Sequence, residues 1–303
     1  MNSELRESYN TAIEILKDNS SSFYTAFKTL PEEKFLAVAS IYAYCRVCDD
    51  IVDEDNDKAS AEKRLNDLEY NINAFYNNEA YDMPYPWWDA FETTVKKFKI
   101  KLEPFLMQIR GQRMDLKEVE IEDLDHLLEY CRLVAGSVGL MLAGILAKSV
   151  AVYRDKNYLD ACLDLGIGMQ ITNILRDIGE DLVQRNRVYV PKTLLEKNGL
   201  TKEDLISLIE NDGKNLPDNF ISLWEELAAL SEKYYAGIKN ELCNFDPDVR
   251  LSVYSSALIY KEILDVVRKN NYNCLTKRNY TNKVTMLKLL NTAKKTLKEV
   301  CNE

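Results

Sequence analysis

The stretch Gln170-Ile171-Thr172-Asn173-Ile174-Leu175-Arg176-Asp177-Ile178-Gly179-Glu180-Asp181 spaces polar side chains regularly among apolar ones. In a helix, Gln170, Asn173, Asp177 and Asp181 fall at relative positions 0, 3, 7 and 11 and share one face. Burying isolated carboxylates is unfavourable, so such a row on an apolar helix implies a compensating cation or a water-filled cavity. This helix is therefore predicted to carry one side of a polar site.

A second row with similar spacing lies on the helix predicted to begin near Pro31. Tyr42, Arg46, Asp49 and Asp53 fall at relative positions 0, 4, 7 and 11. A solvated acidic helix face is the simpler interpretation of either row taken alone. The shared spacing of the aspartate pairs and the strongly apolar residues between them favour two rows that face a common site.

The chemistry of these rows favours a divalent cation. Carboxylate and amide oxygens suit Mg²⁺, which is usually shared between protein carboxylates and substrate phosphates. Arg46 and Arg176 add a guanidinium to each row for phosphate oxygens, although Arg176 lies off the main stripe. Arg46 is also one turn from Asp49, which permits a simple ion pair, and Asp50 turns about 100° away from Asp49. Together the rows predict a diphosphate clamp.

The composition predicts an all-α protein with a single domain, residues 1–303. The chain has 303 residues, 46% of them apolar, and only seven Pro and ten Gly. No period-two pattern, repeat or low-complexity linker divides it, and Glu54-Asp55-Asn56-Asp57-Lys58 is a polar connector. The predicted helices cover residues 3–18, 31–53, 60–77, 86–113, 121–152, 157–185, 217–244, 248–270 and 282–301.

Charge, cysteine content and hydropathy exclude several classes of protein. A net charge of −10 argues against a nucleic-acid partner, because phosphate backbones need a clustered basic surface. Seven Cys in a chain without a signal-peptide pattern favour buried thiols in a reducing cytoplasm. The longest apolar run, Leu133 to Ala147, is shorter than a membrane span and is interpreted as a core helix in which Gly136, Gly139 and Gly144 allow close approach. No anchor is expected in the charged segment from Lys294 to Glu303.

Other motifs give weaker signals. Cys45 and Cys48 have Cys-x-x-Cys spacing but lie within a helix without a second pair, so metal or redox chemistry there is disfavoured. His126 is the only histidine, and Asp123 and Asp125 on either side favour a surface position over a catalytic one. No Gly-rich phosphate loop is present, which disfavours an ATPase or an ordinary nicotinamide enzyme.

Taken with the acidic rows, several linked motifs give a family resemblance. The chain resembles the squalene/phytoene synthases, the head-to-head prenyl transferases, from about Asn19 to Arg278. The stretches that carry the resemblance are Ser20-Ser21-Ser22-Phe23, Ala43-Tyr44-Cys45-Arg46, Asp49-Asp50-Ile51-Val52-Asp53, Tyr130-Cys131-Arg132-Leu133-Val134-Ala135-Gly136-Ser137-Val138-Gly139, Gln170 to Asp181, Arg187-Val188-Tyr189-Val190-Pro191 and Tyr260-Lys261-Glu262-Ile263-Leu264.

The resemblance implies an isoprenoid synthase helical bundle around a central apolar cavity, with acidic helices at its mouth and three Mg²⁺ per active site. By motif position, the metal ligands are Asp49, Asp53, Asn173, Asp177 and Asp181. The catalytic residues are Asp49, Asp53, Asp177, Asp181 and Tyr130. The substrate contacts are Asn19, Ser20, Ser21, Ser22, Phe23, Tyr42, Arg46, Gln170, Arg176, Arg187, Tyr260 and Arg278.

Two departures from the family pattern leave alternatives open. One additional residue between Asp181 and Arg187 places Arg185 and Arg187 in competition for the phosphate role. Lys277-Arg278 stands where the family tends to have an arginine pair.

The implied reaction joins two prenyl diphosphates. One ionises to an allylic cation, the double bond of the second attacks it, and proton loss gives a cyclopropylcarbinyl (presqualene-type) diphosphate. A second ionisation, rearrangement and proton loss give a conjugated triene. Tyr42, Tyr130 and Tyr260 are expected to stabilise cations through their ring faces or to hold a diphosphate through their hydroxyls.

The choice of product depends on the depth of the prenyl pocket. Phe27 lies one turn beyond Phe23, so two rings are expected to shorten that pocket. The resemblance then favours farnesyl diphosphate and dehydrosqualene without NADPH, in a cytoplasmic enzyme with loose membrane contact. The alternatives are a phytoene synthase that uses geranylgeranyl diphosphate, another prenyl transferase or terpene cyclase, and a non-catalytic scaffold of the same fold.

Overall fold

The two helices that were predicted to carry the acidic rows are α3 (Glu32–Asp53) and α10 (Lys156–Arg185). Glu32 and Glu33 occupy the first turn of α3, where negative charge favours the helix dipole. The side chain of Asp155 caps α10 by accepting hydrogen bonds from the backbone amides of Asn157 and Tyr158. Both rows therefore lie on helices, as predicted.

The computed structural model describes residues 1–53 and 57–301, except for the side chains of Ser21 and Ser22, so most of the predicted polar connector lies outside it. Within these residues the regular structure is helical and no strand forms, in agreement with the predicted all-α class. The other helices are α1 (Ser3–Asn19), α2 (Ser21–Phe27), α4 (Lys58–Asn77), α5 (Trp88–Phe98), α6 (Glu103–Leu116), α7 (Leu124–Cys131), α8 (Ser137–Leu146), α9 (Val150–Tyr153), α11 (Lys192–Lys197), α12 (Lys202–Glu210), α13 (Asp218–Ala236), α14 (Ile238–Glu241), α15 (Pro247–Lys269) and α16 (Lys283–Cys301).

Several predicted boundaries were wrong. The helix predicted at 86–113 divides into α5 and α6, because Lys99 adopts a left-handed conformation with φ 52° that ends α5. The helix predicted at 217–244 ends at Ala236 and is followed by α14 and a 3-10 turn, Leu242–Asn244. The short helices α2, α11 and α12 were not predicted, although α12 has a capping box formed by Thr201 and Asp204.

The helix predicted at 121–152 is interrupted twice. A π-helical turn, Arg132–Gly136, separates α7 from α8, and the extended backbone of Ala147 separates α8 from α9. The run Leu124–Leu146 is long and apolar enough to cross a membrane by length and composition, but half of it is buried inside the protein. A Cβ at Gly139 would collide with the carbonyl of Cys162 in α10, so glycine is required for this close contact. Its packing is that of a core helix, as predicted.

The core consists of two apolar clusters that α10 connects. Tyr158 and Cys162 near the start of α10 belong to the first cluster, and Ile171 and Leu175 further along it belong to the second. In the first cluster the ring of Tyr44 stacks on Phe91 and meets Phe105 edge to face. Both acidic rows therefore stand on helices that are fixed by buried packing.

The cysteines follow the prediction in part. Five are buried free thiols: Cys45, Cys48, Cys131, Cys162 and Cys274. The remaining two, Cys243 and Cys301, form a disulfide, contrary to the expectation of free thiols. This bond joins the end of α16 to the 3-10 turn that follows α14.

Candidate active site

A cavity of about 360 Å³ opens between α3, α6, α8 and α10. Apolar side chains and charged or polar side chains share its lining, so one pocket can accommodate both an oily chain and a charged group. The lining residues are Phe23, Val38, Ile41, Tyr42, Cys45, Arg46, Asp49, Asp53, Gln108, Gln112, Asp115, Tyr130, Val134, Val138, Leu142, Gln170, Arg185, Arg187 and Tyr189.

The two acidic rows meet at the rim through one arginine. Arg185 Nη2 donates to Asp53 Oδ2 at 3.2 Å, and Arg185 Nη1 lies 3.5 Å from Asp181 Oδ1. Asp53 ends α3 and Asp181 lies on α10, so a single guanidinium spans both rows. The predicted facing arrangement is therefore present at this end of the site.

The row on α3 faces the cavity as its spacing predicts. Tyr42, Arg46, Asp49 and Asp53 all line it. Burial raises the pKa of Asp49 to about 7, and the neighbouring Asp53 carboxylate adds to the shift. Arg46 forms its ion pair with Asp50, four residues on, and the pair with Asp49 that its spacing permits is not formed. Asp49 instead accepts a hydrogen bond from the amide of a glutamine on α6, Gln112.

The row on α10 is less regular than an ideal helix predicts. Asp177 has non-helical backbone angles, φ −110° and ψ 16°, which kink α10 within the row. Arg176 donates through Nε to Asp177 Oδ1 at 2.7 Å, so this carboxylate is held by its own neighbour. Of the four residues predicted to form this row, only Gln170 lines the cavity described above. Burial raises the pKa of Asp181 to about 7, and Asp177 adds to the shift while Arg185 opposes it.

Asn173 lies between Gln170 and Asp177 on α10, and its side-chain oxygen has no hydrogen-bond partner among the described residues. Its amide donates to Gln170 Oε1 at 3.4 Å. Its own oxygen, Oδ1, is buried and has no hydrogen-bond partner in the described part of the protein. An unsatisfied buried acceptor is costly, so this oxygen fits a cation or another ligand that the protein does not itself supply.

A third polar row lies on α6 and was not predicted. Gln108, Gln112 and Asp115 line the cavity at relative positions 0, 4 and 7, the spacing that identified the row on α3. Two tyrosine hydroxyls donate to the Asp115 carboxylate, Tyr130 at 3.0 Å and Tyr189 at 2.8 Å. Burial keeps the pKa of Asp115 above its ordinary value even though these bonds oppose the shift. The row contains only one carboxylate, so a pattern of paired acidic residues does not reveal it.

The structure separates the roles of Arg185 and Arg187. Arg187 donates to Asp115 twice, to Oδ1 at 2.8 Å and to the backbone carbonyl at 2.6 Å, and also contacts the Tyr189 hydroxyl. Arg187 is thus fixed in a buried network, whereas Arg185 reaches the carboxylates at the rim. Both arginines line the cavity, and their roles toward a phosphate group stay predictions.

The predicted contacts at the start of α2 lie at different depths. Phe23 lines the cavity and packs against Phe27 and Tyr42, with ring centroids 4.5 and 5.6 Å away. Ser20 caps α2 by accepting a hydrogen bond from the Phe23 amide, and it lies near Tyr42, whose pKa burial raises to about 12. Asn19 is exposed and bonds to the carbonyl of Ile15 in its own helix. The side chains of Ser21 and Ser22 lie outside the described residues.

The remaining predicted contacts lie beside the cavity. Tyr260 is half-buried on α15, close enough to Arg176 to influence the pKa of that guanidinium. Arg278 is 62% exposed and pairs with Glu180 at 3.2 Å. The segment before Arg278 lies against α10, since the Gly179 amide donates to the Cys274 carbonyl and a Cβ at Gly179 would collide with Leu275. Neither Tyr260 nor Arg278 lines the cavity.

The residues at the rim fit a divalent cation. Among the described residues, no group of three or more His, Cys, Asp or Glu side chains forms a complete metal site in the protein alone. The unsatisfied oxygen of Asn173 and the carboxylates of Asp49 and Asp181, whose pKa values burial raises, are nevertheless oxygen ligands that a cation would satisfy. An oxygen-only set of this kind suits Mg²⁺ shared with a phosphate-bearing ligand.

The fold is the all-α isoprenoid synthase bundle, with polar helix faces at the mouth of its cavity. The chain belongs to the squalene/phytoene synthase family, which residues 16–287 match. Members of this family are head-to-head prenyl transferases that use a divalent metal.

Individual relatives carry two different activities in their names. The chain is 32% identical to a chloroplastic phytoene synthase of Narcissus pseudonarcissus over 94% of its own length, and it spans 66% of that protein. It is 33% identical to the Daucus carota enzyme over 93% of its length, spanning 69% of that relative. A solved dehydrosqualene synthase in complex with ligand is 33% identical with a TM-score of 0.85, and 98% of each chain is covered.

A more distant structure supports the fold alone. A squalene synthase from Alicyclobacillus acidocaldarius has a TM-score of 0.76 at 23% identity, with 90% of this chain and 97% of that chain covered.

Proposed function

We propose that this protein catalyses the Mg²⁺-dependent head-to-head condensation of two farnesyl diphosphates, through a presqualene-type diphosphate, to dehydrosqualene. The observation that carries the proposal is the cavity itself, which is lined both by carboxylates and arginines and by apolar side chains. The similarity to a solved dehydrosqualene synthase over 98% of both chains supports this product. Such a reaction is a first step toward C30 carotenoids.

In the proposed complex, Asp49, Asp53, Asn173, Asp177 and Asp181 would hold three Mg²⁺. Held there, the ions would supply the positive charge that favours ionisation of the diphosphate. Arg46 lines the cavity and adds charge-assisted hydrogen bonds to the same head group, and so does Arg185 or Arg187, which line the same cavity. The Asp177 carboxylate must leave Arg176 to join this set, which frees that guanidinium for the diphosphate.

The apolar wall holds the prenyl chains and excludes water from the carbocations. Val134, Val138 and Leu142 present one side of α8 and the π-turn to the cavity. The aromatic ring of Tyr130 is 4% exposed and lines the same cavity, which suits stabilisation of a cation by its face. Its hydroxyl, bonded to Asp115, holds the ring in place.

The length of the prenyl pocket supports the C15 substrate. Phe23 lines the cavity, and the ring of Phe27 lies directly behind it at a centroid distance of 4.5 Å. Phe27 is itself 6% exposed and packed in the core, so it cannot yield easily to a longer chain. Two rings in series therefore favour farnesyl over geranylgeranyl chains.

The deciding experiment is product analysis. Purified protein is incubated with Mg²⁺ and farnesyl or geranylgeranyl diphosphate, with and without NADPH, and the hydrocarbon is extracted. Dehydrosqualene from the C15 substrate, independent of NADPH, is expected. A C40 product without any C30 product would favour the phytoene synthase alternative, and squalene formed only with NADPH would contradict the proposal that no NADPH is used. A head-to-tail chain or a cyclised C15 product would indicate a different prenyl transferase or a terpene cyclase.

Substitutions in the rim separate an enzyme from a non-catalytic scaffold. Asp49→Ala and Asp177→Ala are expected to abolish turnover while helicity remains near that of the wild type. Asp160→Ala is the matched control, because Asp160 lies on α10 but is exposed and paired with Lys156 away from the cavity. Wild-type turnover in either rim variant would contradict the metal-clamp interpretation.

We also place the protein in the cytoplasm with loose membrane contact. Five buried free thiols support a reducing compartment, whereas the Cys243–Cys301 disulfide argues in the other direction. Fractionation of cells at low and high salt tests the location, and recovery only from the periplasm or the medium would exclude the cytoplasm.

A further inference from the structure

Exposed apolar side chains collect on one side of the cavity rim. In the described part of the chain, six large apolar side chains have exposed fractions between 63% and 71%. Four of the six, Val183, Tyr280, Val284 and Leu287, lie on the last turns of α10, the loop before α16 and the first turns of α16. We call these four residues the rim patch. Exposed apolar side chains that gather in this way are typical of an interaction surface.

The rim patch lies beside the second acidic row. Val183 follows Glu180 by one helical turn on α10, and Glu180 pairs with Arg278 at 3.2 Å. Tyr280 comes two residues after Arg278, and the Thr281 hydroxyl then donates to the Ile259 carbonyl on α15 at 2.9 Å. These contacts fix the loop and the start of α16 next to the mouth.

The same region is strongly basic in an acidic protein. Residues 266–298 contain no Asp or Glu, although the whole chain has 49 of them and a net charge of −10. Within the described residues, Arg268, Lys269 and Arg278 form ion pairs there. Six exposed lysines of this region form no ion pair with another described residue: Lys277, Lys283, Lys288, Lys294, Lys295 and Lys298.

The outward face of α16 carries exposed apolar side chains near its start and lysines toward its end. Val284 and Leu287 are three residues apart and share a face near the start, and Lys288, Lys295 and Lys298 continue that face toward the end. The opposite face is fixed, since its buried side chains and its terminal disulfide hold it against the core: Ala293, Leu297 and Cys301. The helix therefore presents an apolar and basic surface that it cannot rotate inward.

We propose that the rim patch and the lysines of α16 dock the protein on an anionic lipid bilayer. The exposed Tyr280, Val284 and Leu287 enter the interface while the lysines contact acidic head groups. Negative charge elsewhere on the protein is repelled by such a surface, which orients the protein with the outward face of α16 against the lipid. The use of this contact to deliver an oily product rests on the proposed function.

Vesicle flotation tests the docking without any substrate. Wild-type protein is expected to float with vesicles of phosphatidylcholine containing about 30% phosphatidylglycerol, to float poorly with phosphatidylcholine alone, and to be released by salt. The variant Val284→Glu with Leu287→Glu should lose about tenfold in partitioning, since it replaces apolar contact with like charge. Tyr70→Glu, at a residue 66% exposed on α4, is the control that should float like the wild type.

Three results would overturn the proposal. These are no flotation of the wild type with anionic vesicles, equal losses in the rim-patch variant and the control, and a wild-type dimer that the rim-patch variant dissociates in gel filtration. The last would assign the surface to a second copy of the chain. Turnover measured in detergent should be unchanged in the rim-patch variant. A wild type that floats but makes no hydrocarbon would refute the proposed function alone.

Discussion

The guanidinium of Arg185 lies 3.2 Å from the carboxylate of Asp53, a residue 132 positions earlier on a different helix. The same guanidinium lies 3.5 Å from Asp181. An exposed carboxylate of one row and a half-buried carboxylate of the other thus share one positive charge. A divalent cation bound by both rows would have to compete with this arginine for the same oxygens.

Removal of Arg185 is therefore expected to strengthen cation binding in the substrate-free protein. Arg185→Ala should lower the Kd for Mg²⁺ several-fold in calorimetric titration, because Asp53 and Asp181 no longer hold an internal cation. Arg154→Ala, at an exposed site after α9, serves as the control and should bind Mg²⁺ like the wild type. An unchanged or raised Kd in Arg185→Ala would show that the arginine does not compete.

The contact between Asp115 and Arg187 predicts a strong coupling in stability. Arg187→Ala leaves a buried carboxylate without its charged partner and should lower the free energy of unfolding by about 3 kcal/mol. Asp115→Asn combined with Arg187→Ala should recover part of that loss, because the uncompensated charge is gone. Urea unfolding of the four proteins in the cycle measures it, and strictly additive effects would mean that the two groups act independently.

The sequence predicts which residues form the two acidic rows, but it does not predict the local backbone geometry of each row. The helical spacing of Asp49 and Asp53 and the apolar residues around them place both carboxylates on one face of α3 correctly, because a regular helix keeps its 3.6-residue repeat. The same reasoning fails at Asp177, where the backbone leaves helical geometry and the carboxylate turns to Arg176. A kink of this kind depends on tertiary contacts, here the loop that packs on Gly179, which no local pattern reports.

The third row, on α6, is visible in the sequence by the same spacing. Gln108, Gln112 and Asp115 repeat the helical interval, and only the lack of a paired carboxylate hides them. By contrast, the network that joins Asp115 to Tyr130, 15 residues away, and to Arg187, 72 residues away, depends on how distant segments pack. Contacts of that range are set by the assembled bundle and cannot be predicted from spacing.

Because Phe27 packs behind Phe23 in the cavity wall, its removal is predicted to change the length of the product. Phe27→Ala removes the side chain that supports Phe23 and should allow a longer chain to enter. The variant is expected to convert geranylgeranyl diphosphate to a C40 hydrocarbon that the wild type makes poorly, as measured by chromatography of the extract. Phe35→Ala is the control, because Phe35 packs on Tyr24 and does not line the cavity. A gain of C40 product in both variants would indicate general loosening of the fold.

The raised pKa values of Asp49 and Asp181 predict that the metal-free protein becomes less stable as pH rises. Burial raises the pKa of Asp49 and of Asp181 to about 7, whereas an unfolded Asp titrates near 3.9. Between about pH 4 and pH 7 the folded state therefore holds more protons than the unfolded state. The free energy of unfolding consequently falls through this window and levels off above it.

Thermal melting in EDTA from pH 5 to pH 8 measures this dependence. The Tm should fall across the window in the wild type, and the slope should be smaller in Asp49→Asn and in Asp181→Asn, because each variant removes one of the two groups. Asp160→Asn should keep the wild-type slope, since Asp160 is exposed and lies far from the rim. Mg²⁺ should raise the Tm more at pH 8 than at pH 5, because protons compete with the cation for the same oxygens. A Tm that rises with pH in the metal-free wild type would mean that these carboxylates are already compensated within the protein.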